Sequence, residues 1–307
     1  MSENSSFVRI DYERLSEHAQ SLSSNDIALP KLDPNSHFLG HGEDTLAFIL
    51  ILDAINFGSG WFPHLKKRPA MSGYFTIASA LRDTFESTGP LSADQIARIS
   101  AADCARIFGQ DSRNAHAQEL MGKFAEAMND FGRLILDRYN GKYASLIEDV
   151  GHSAEDLVRS LSAMTFFNDV ELWRGQRIPF YKRAQLTAAD LALAFDHKGL
   201  GHFRDLDQLT IFADNLVPHV LRLDEILLYD AELSERIDGE ELIPAGSPEE
   251  IEIRACALHA VELLVEELRR RGRSASAMII DHLLWNRGQL PEYKRAKPRH
   301  RTRTVFY

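Results

Sequence analysis

Apolar residues recur along this chain mostly at the three-and-four spacing of helices rather than the two-residue alternation of strands. Residues 44–57 form an almost wholly apolar helical stretch, and residues 76–85 a second. Ser92-Ala93-Asp94-Gln95 reads as a capping box that opens a third, serine and glutamine each satisfying a free main-chain N–H. A long amphipathic helix is predicted over 118–138, and Ser153 is placed to cap one that runs to about Met164. The strongest helix start is Ser247-Pro248-Glu249-Glu250, with a capping serine, a proline at the first helical position and early acid. That helix is expected to reach Arg271 and stop at Gly272, and a last one to cover 275–285. Strand signals are poor: residues 170–179, with Arg174-Gly175-Gln176 in the middle, read as a short hairpin or a plain turn. With no long linker and no repeat, the pattern describes one mainly α, multi-helix domain with few or no strands, or two helical lobes sharing a cleft.

A chain of 307 residues with 44% apolar and 26% charged side chains can bury a sizeable core. The formal charge of −10 argues against a general nucleic-acid binder, which needs a cationic face to displace counterions. Lys294, Arg295, Lys297, Arg299, Arg301 and Arg303 nevertheless crowd the far end, where composition alone describes a solvated tail. The N-terminus lacks the charged-then-apolar signal pattern, and the longest apolar run, 46–52, is too short to span a bilayer. Cys104 and Cys256 are the only cysteines, so a reducing cytoplasm is the expected setting. The twelve histidines are scattered without a metal-ligand spacing, and no metal or other cofactor is expected. Neither a P-loop nor a Gly-x-Gly-x-x-Gly fingerprint occurs.

Candidate chemistry concentrates between Arg174 and Pro218. Phe180-Tyr181-Lys182-Arg183-Ala184-Gln185 and Phe212-Ala213-Asp214-Asn215 each set an ionisable group among aromatic neighbours, which desolvate it and shift its protonation. Lys182 and Arg183 open an apolar helix, where cations oppose the helix dipole and call for anionic partners; exposed charges over the core edge are the bland alternative. Leu206, Leu209 and Ala213 share a helical face, which makes Asp205 or Asp207 its cap and puts Asp214 at its unfavourable C-terminal end. Asp214 as a cap for the element opened by Pro218 is the competing reading. Asn56-Phe57-Gly58-Ser59-Gly60-Trp61 offers Phe57 and Trp61 as a clamp for a flat ring, or as core aromatics. Ser72-Gly73-Tyr74 opens a helix and provides a small-residue anion site.

Taken together, these blocks resemble the queuosine salvage protein family, the queuosine 5′-monophosphate N-glycosylases. The resemblance runs from about residue 40 through Asp53 to Phe57 with Trp61, Ser72 to Tyr74, Phe180 to Gln185, Thr210 to Asp214, Val217-Pro218, Glu250 to Arg254, and His300 to Tyr307. It departs at Gly58-Ser59-Gly60, which separates Phe57 from Trp61, at Asn215-Leu216 and at His219. The resemblance implies an N-terminal segment, 1–40, packing on a glycosylase domain, 40–307, whose helical architecture is related to the helix-hairpin-helix DNA glycosylases. It implies hydrolysis of the N-glycosidic bond of queuosine 5′-monophosphate to queuine and ribose 5-phosphate, with Asp214 and Lys182 as the catalytic centre and a C-terminal stretch packed on the body. On that footing Asp53, Asn56 or Asp207 would hydrogen-bond the leaving base, Phe57 or Trp61 stack on it, and Ser72, Tyr74 and Arg183 meet the phosphate. Tyr181 and Phe212 complete the substrate contacts. The expected partner is a free nucleotide, with no stable nucleic acid and no membrane. A base glycosylase acting on nucleic acid and a non-catalytic carrier of a modified nucleoside are the rival functions.

Overall fold

The computed structural model describes residues 4–23, 27 and 30–307. Fourteen α-helices, two antiparallel strand pairs and a few 3-10 turns make up the regular structure of these residues. In chain order they are β1 (Val8–Ile10), α1 (Tyr12–Ser21), α2 (Glu43–Ala54), α3 (Gly73–Thr88), α4 (Ala93–Ala97), α5 (Ala101–Ile107), α6 (Ala115–Tyr139), α7 (Tyr143–Asp149) and α8 (Ala154–Ser162). The hairpin β2 (Val170–Trp173) and β3 (Gln176–Pro179) follows, then α9 (Lys182–Ala194), α10 (Val217–Leu223), β4 (Leu227–Tyr229) and α11 (Ala231–Asp238). The last three are α12 (Pro248–Arg270), α13 (Ala277–Gly288) and α14 (Pro291–Ala296). The chain is mainly helical, as its periodicity predicts.

The caps obey local chemistry. Ser92 and Gln95 form the predicted capping box, and Ser153 and Ser247 each accept a main-chain N–H at the start of their helices. The 170–179 stretch is a true hairpin: Val170 pairs with Pro179 and Trp173 with Gln176. Arg174 and Gly175 both take positive φ, 48° and 80°, the backbone that a two-residue hairpin turn requires.

One expected helix is missing. Only Leu206–Gln208 forms a short 3-10 turn, and the chain then runs extended through Leu209, Ile211 and Phe212, all buried. Side chains have taken its main-chain donors: Gln185 Oε1 accepts from Thr210 N at 2.8 Å, and Asp281 Oδ1 from Phe212 N at 2.8 Å. Asp205 caps another element instead, accepting from Ser153 Oγ and from the Ala154 and Glu155 amides at the start of α8.

Two apolar clusters divide the interior. One gathers α2 with α3 to α9; the other gathers β1, α1 and α10 to α13. From Thr45 to Ala54 every residue of α2 is buried, the signature of a helix with no solvent face. Each fully buried Leu, Ile or Phe there contributes about 1.5–3 kcal/mol. The amino-terminal stretch joins the second cluster, with Val8 to Ile10 antiparallel to Tyr229 to Leu227 and the Ser6 and Phe7 amides bonded to Glu252. Met1 to Glu3, part of the terminus read for a signal pattern, lie outside the described residues. Lys294, Arg295 and Lys297 of the basic end are exposed, but the stretch after them is no solvated tail: His300, Thr302 and Tyr307 are buried, and the Tyr307 carbonyl accepts from Gly58 N at 3.0 Å.

Candidate active site

At the seam of the two clusters lies a group of buried charges. Asp53 comes from the last turn of α2, Lys182 and Asp190 from α9, Asp281 from α13, and Asp214 from the loop before α10. Lys182 and the three helix-borne aspartates are all buried, whereas Asp214 is half-exposed. The Lys182 ammonium donates to the Asn56 carbonyl at 3.3 Å and lies 3.5 Å from Asn56 Oδ1; Asn56 Nδ2 in turn donates to Asp53 Oδ1 at 3.4 Å. No hydrogen bond among the described residues reaches Asp53 Oδ2.

Burial governs the electrostatics. It pushes the Asp53 carboxyl up to about 7 against the pull of Lys182, and Asp281 up to about 8 with Asp214 adding to the rise. Asp190 goes well above the carboxylate range, through burial and then the neighbouring Asp53. Lys182 is lowered by the same desolvation, opposed first by Asp214 and then by Asp53 and Asp281. The seam thus holds carboxyl groups that keep protons near neutral pH beside a lysine and a half-exposed carboxylate. Such a set donates, accepts and stabilises positive charge within one small volume.

Asp214 is held by the helix that follows it. Its Oδ1 accepts from Leu216 N at 2.7 Å and Val217 N at 3.0 Å. These two contacts make a turn just ahead of α10, whose own cap position, Leu216, has no side-chain cap, and they anchor the Asp214 carboxylate through Oδ1.

The other anticipated residues divide by location. Tyr74 joins the seam: burial of its hydroxyl, then Asp190 and Asp53, push it well above the phenol range, and His37 Nε2 lies 2.9 Å from that hydroxyl. Tyr181 directly precedes Lys182, half-buried, with φ +46°. Phe212 is buried edge-on to His282, 5.8 Å between ring centres. Ser72 Oγ caps α3 by accepting from Phe75 N at 3.3 Å. Arg183 is buried and donates to the carbonyls of Asp53 at 3.2 Å, Ala54 at 2.5 Å and Phe166, capping the negative end of α2. Phe57 is 2% exposed, edge-on to Phe124 with Arg183 stacked 4.8 Å from its centre. Trp61 is 4% exposed, with Arg303 at 5.7 Å. Asp207 is exposed and lines a separate surface cavity of about 380 Å³ with Thr210, Glu262 and Arg269.

Sequence reasoning missed Asp190 and Asp281. Each is a lone acid inside an apolar helical run, the same signal that Asp53 carries, so the residue pattern was sufficient to find them. It also missed Trp285 and Phe75, half-buried rings that meet Tyr74 at 5.9 and 5.3 Å. Nothing local marks Trp285, because α3 and α13 are far apart in the chain, whereas Phe75 directly follows Tyr74. Among the described residues no cluster of three or more His, Cys, Asp or Glu is arranged to hold a metal ion, and no helix is long and apolar enough to cross a membrane.

Known proteins share this arrangement of sequence. A protein of Sphaerobacter thermophilus named queuosine 5′-phosphate N-glycosylase/hydrolase is 37% identical over 99% of this chain and 94% of its own length. Proteins of the same name from Dictyostelium discoideum and Mus musculus are 32% and 28% identical, over 86% and 100% of this chain and 79% and 96% of their own. The profile of the queuosine salvage protein family matches residues 36–307, a span that holds every residue of the seam. The chain belongs to the queuosine salvage protein family.

Proposed function

We propose that this protein hydrolyses the N-glycosidic bond of queuosine 5′-monophosphate, releasing queuine and ribose 5-phosphate for salvage. The observation that carries the reading is the lysine buried among aspartates of displaced protonation, with half-exposed Asp214 at its edge. Cleavage develops positive charge on the ribose ring, and a carboxylate beside the anomeric carbon stabilises it. Asp214 takes that role, with the positive charge of Lys182 acting on it across the seam. Water supplies hydroxyl to the anomeric carbon, and the glycosidic electron pair leaves with the base, which gains a proton. A 7-deaza base lacks the ring nitrogen that purine cleavage commonly protonates, so hydrogen bonds elsewhere on the base must help it leave. Asp53, whose carboxyl burial raises to about 7 and whose Oδ2 has no partner, and Asn56 are assigned to make them.

Stacking is assigned to the half-buried group of Tyr74, Phe75 and Trp285 rather than to Phe57 and Trp61, whose faces are occupied by core neighbours and arginines. Tyr181 and Phe212 flank Lys182 and Asp281 as further contacts. Arg299, which faces Asp214, and neighbouring Lys67 are the cations assigned to the phosphate, because both Arg183 Nη groups already hold carbonyls. The reading includes an architecture related to helix-hairpin-helix glycosylases, a segment 1–40 that packs on the 40–307 domain, and work in the cytoplasm on a free nucleotide. Purified protein incubated with queuosine 5′-monophosphate should release queuine, followed by chromatography. Asp214→Asn should lose about 10³-fold or more in kcat while staying folded. Full activity in that variant would remove Asp214 from the mechanism, and tight binding without release by the native protein would make it a carrier.

A further inference from the structure

Outside the seam, one buried residue touches the supports of both proposed catalytic groups. Arg254, on α12, is fully buried. Its guanidinium donates through Nη1 to Asp169 Oδ1 at 3.0 Å and through Nη2 to Asp169 Oδ2 at 2.5 Å, a two-pronged pair. Its Nε donates to the Ala213 carbonyl at 2.9 Å. Glu250 Oε1 lies 3.5 Å from Nη1 and accepts from the Tyr307 hydroxyl at 2.9 Å, while the Phe180 and Tyr307 rings cover the guanidinium at 3.9 and 4.7 Å.

Asp169 is also what opens α9. Its Oδ2 accepts from Lys182 N at 3.2 Å, and its carbonyl accepts from Phe180 N at 2.9 Å and Tyr181 N at 3.2 Å. Tyr181, the residue at the helix start, makes no side-chain cap of its own. The first turn of the lysine helix therefore hangs on Asp169, and Asp169 hangs on Arg254. On the other side, Ala213 is the residue immediately before Asp214. A single rigid fork thus ties the main chain carrying Lys182 to the main chain carrying Asp214.

We propose that Arg254 is a positioning residue that sets the separation of Lys182 and Asp214, acting through Asp169 and the Ala213 carbonyl without touching substrate. The inference rests on the assignment of Lys182 and Asp214 given above. An ammonium in place of the guanidinium keeps the charge but cannot make three bonds in one plane, so the two strands of chain lose their common reference.

Arg254→Lys is assayed with queuosine 5′-monophosphate beside native protein and Asp214→Asn, each checked for folding by circular dichroism and thermal melting. The expected result is a folded Arg254→Lys enzyme with kcat lowered about 10²-fold, the scale set by misplacement of about 1 Å, and KM within threefold of native. A folded Arg254→Lys enzyme with native kcat overturns the inference while a dead Asp214→Asn leaves the site assignment standing. An active Asp214→Asn overturns the site assignment and this inference with it. If Arg254→Lys fails to fold, the paired change Arg254→Met with Asp169→Leu replaces the ion pair by packed apolar side chains, an exchange that proteins often accept. Recovery of folding with kcat still lowered supports positioning, and recovery of both shows a purely structural pair.

Discussion

The lysine and three helix-borne aspartates of the seam are buried, as the Arg254 network is, yet the two treat charge in opposite ways. Burial works to strip the Arg254 guanidinium of its proton, yet Asp169 and Glu250 outweigh it and hold the group above its usual range. Asp169 carries most of that pairing, since its two contacts are short and the Glu250 contact is 3.5 Å, with Glu250 itself pushed up by burial. In the seam burial wins: the Asp53, Asp190 and Asp281 carboxyls rise, and Lys182 falls. The difference is partner geometry, because no seam carboxyl has a fork aimed at both its oxygens. A satisfied ion pair has nothing left to offer a ligand, whereas unsatisfied groups keep proton and hydrogen-bonding capacity in reserve. The first region reads as chemistry held in reserve, the second as scaffold.

Breaking the satisfied pair should give one of the two largest effects on stability. Asp169→Ala leaves a buried guanidinium with only the longer Glu250 contact and should cost about 3–5 kcal/mol in denaturant unfolding. The paired change of Asp169→Leu with Arg254→Met should recover most of that. A cost under about 1 kcal/mol for Asp169→Ala would mean that water reaches Arg254 and that its network is less dry than the buried lysine and aspartates of the seam.

Phe57 tests where the boundary between them runs. Its ring is closed in by Phe124, Phe166 and Arg183, so Phe57→Ala should cost about 3–5 kcal/mol as a core cavity. Among molecules that remain folded KM should change little. A rise in KM with little loss of stability would move Phe57 to the substrate side.

These two residues also mark what the sequence could tell. Helix starts were legible because a cap is a contact between residues three apart, as at Ser92, Ser153 and Ser247. The segment before Asp214 is ambiguous in sequence because apolar residues at 206, 209 and 213 fit an amphipathic helix and a buried extended strand alike. What decided it was Gln185 and Asp281, side chains from two other helices. Asp214 and Lys182 stood out through ordered motifs. Arg254 and Asp169, 85 residues apart, carry no local mark of their pairing. The Phe57 block left clamp and core open because aromatics pack both ways, and only tertiary neighbours separate them.

Acidity sharpens the comparison further. A carboxyl whose folded value lies above its unfolded value of about 3.9 favours the native state while protonated. Its stabilising contribution is present below the unfolded value and is lost as pH rises toward the folded one, about 8 for Asp281. Asp281→Asn, which cannot ionise, should therefore gain on the native protein as pH rises from 4 to 8, by up to about 1.4 kcal/mol per pH unit. The comparison is cleanest above about pH 6.5. Below that, buried His219 and half-buried His282, lowered to about 4, and buried His300, lowered to about 3, pull the total stability of both proteins the other way. Urea midpoints for both proteins at pH 5, 6.5 and 8 give the difference. Parallel curves would show that Asp281 is ionised throughout and that the seam is no less satisfied than the Arg254 network.

The smallest effect concerns backbone rather than charge. Tyr181 sits one residue before Lys182 in the left-handed region, φ +46° and ψ +36°, where a side chain with Cβ is strained by about 1 kcal/mol and glycine is not. Arg174 takes a similar φ, but there the two-residue hairpin turn demands it. At Tyr181 the demand comes from the Asp169 carbonyl, which gathers the Phe180 and Tyr181 amides while its carboxylate holds Lys182 N. Tyr181→Gly removes the strain and also the half-buried ring, so the two terms nearly offset and stability should move by no more than about 1 kcal/mol in either direction. Turnover should fall more than stability does, because glycine loosens the joint that presents the lysine. Strain retained beside Lys182 and absent from the Arg254 pair would then follow the same division as the protons: geometry is forced where chemistry is done. Unchanged kcat in Tyr181→Gly would leave the bent backbone as a by-product of helix capping and confine the contrast to charge.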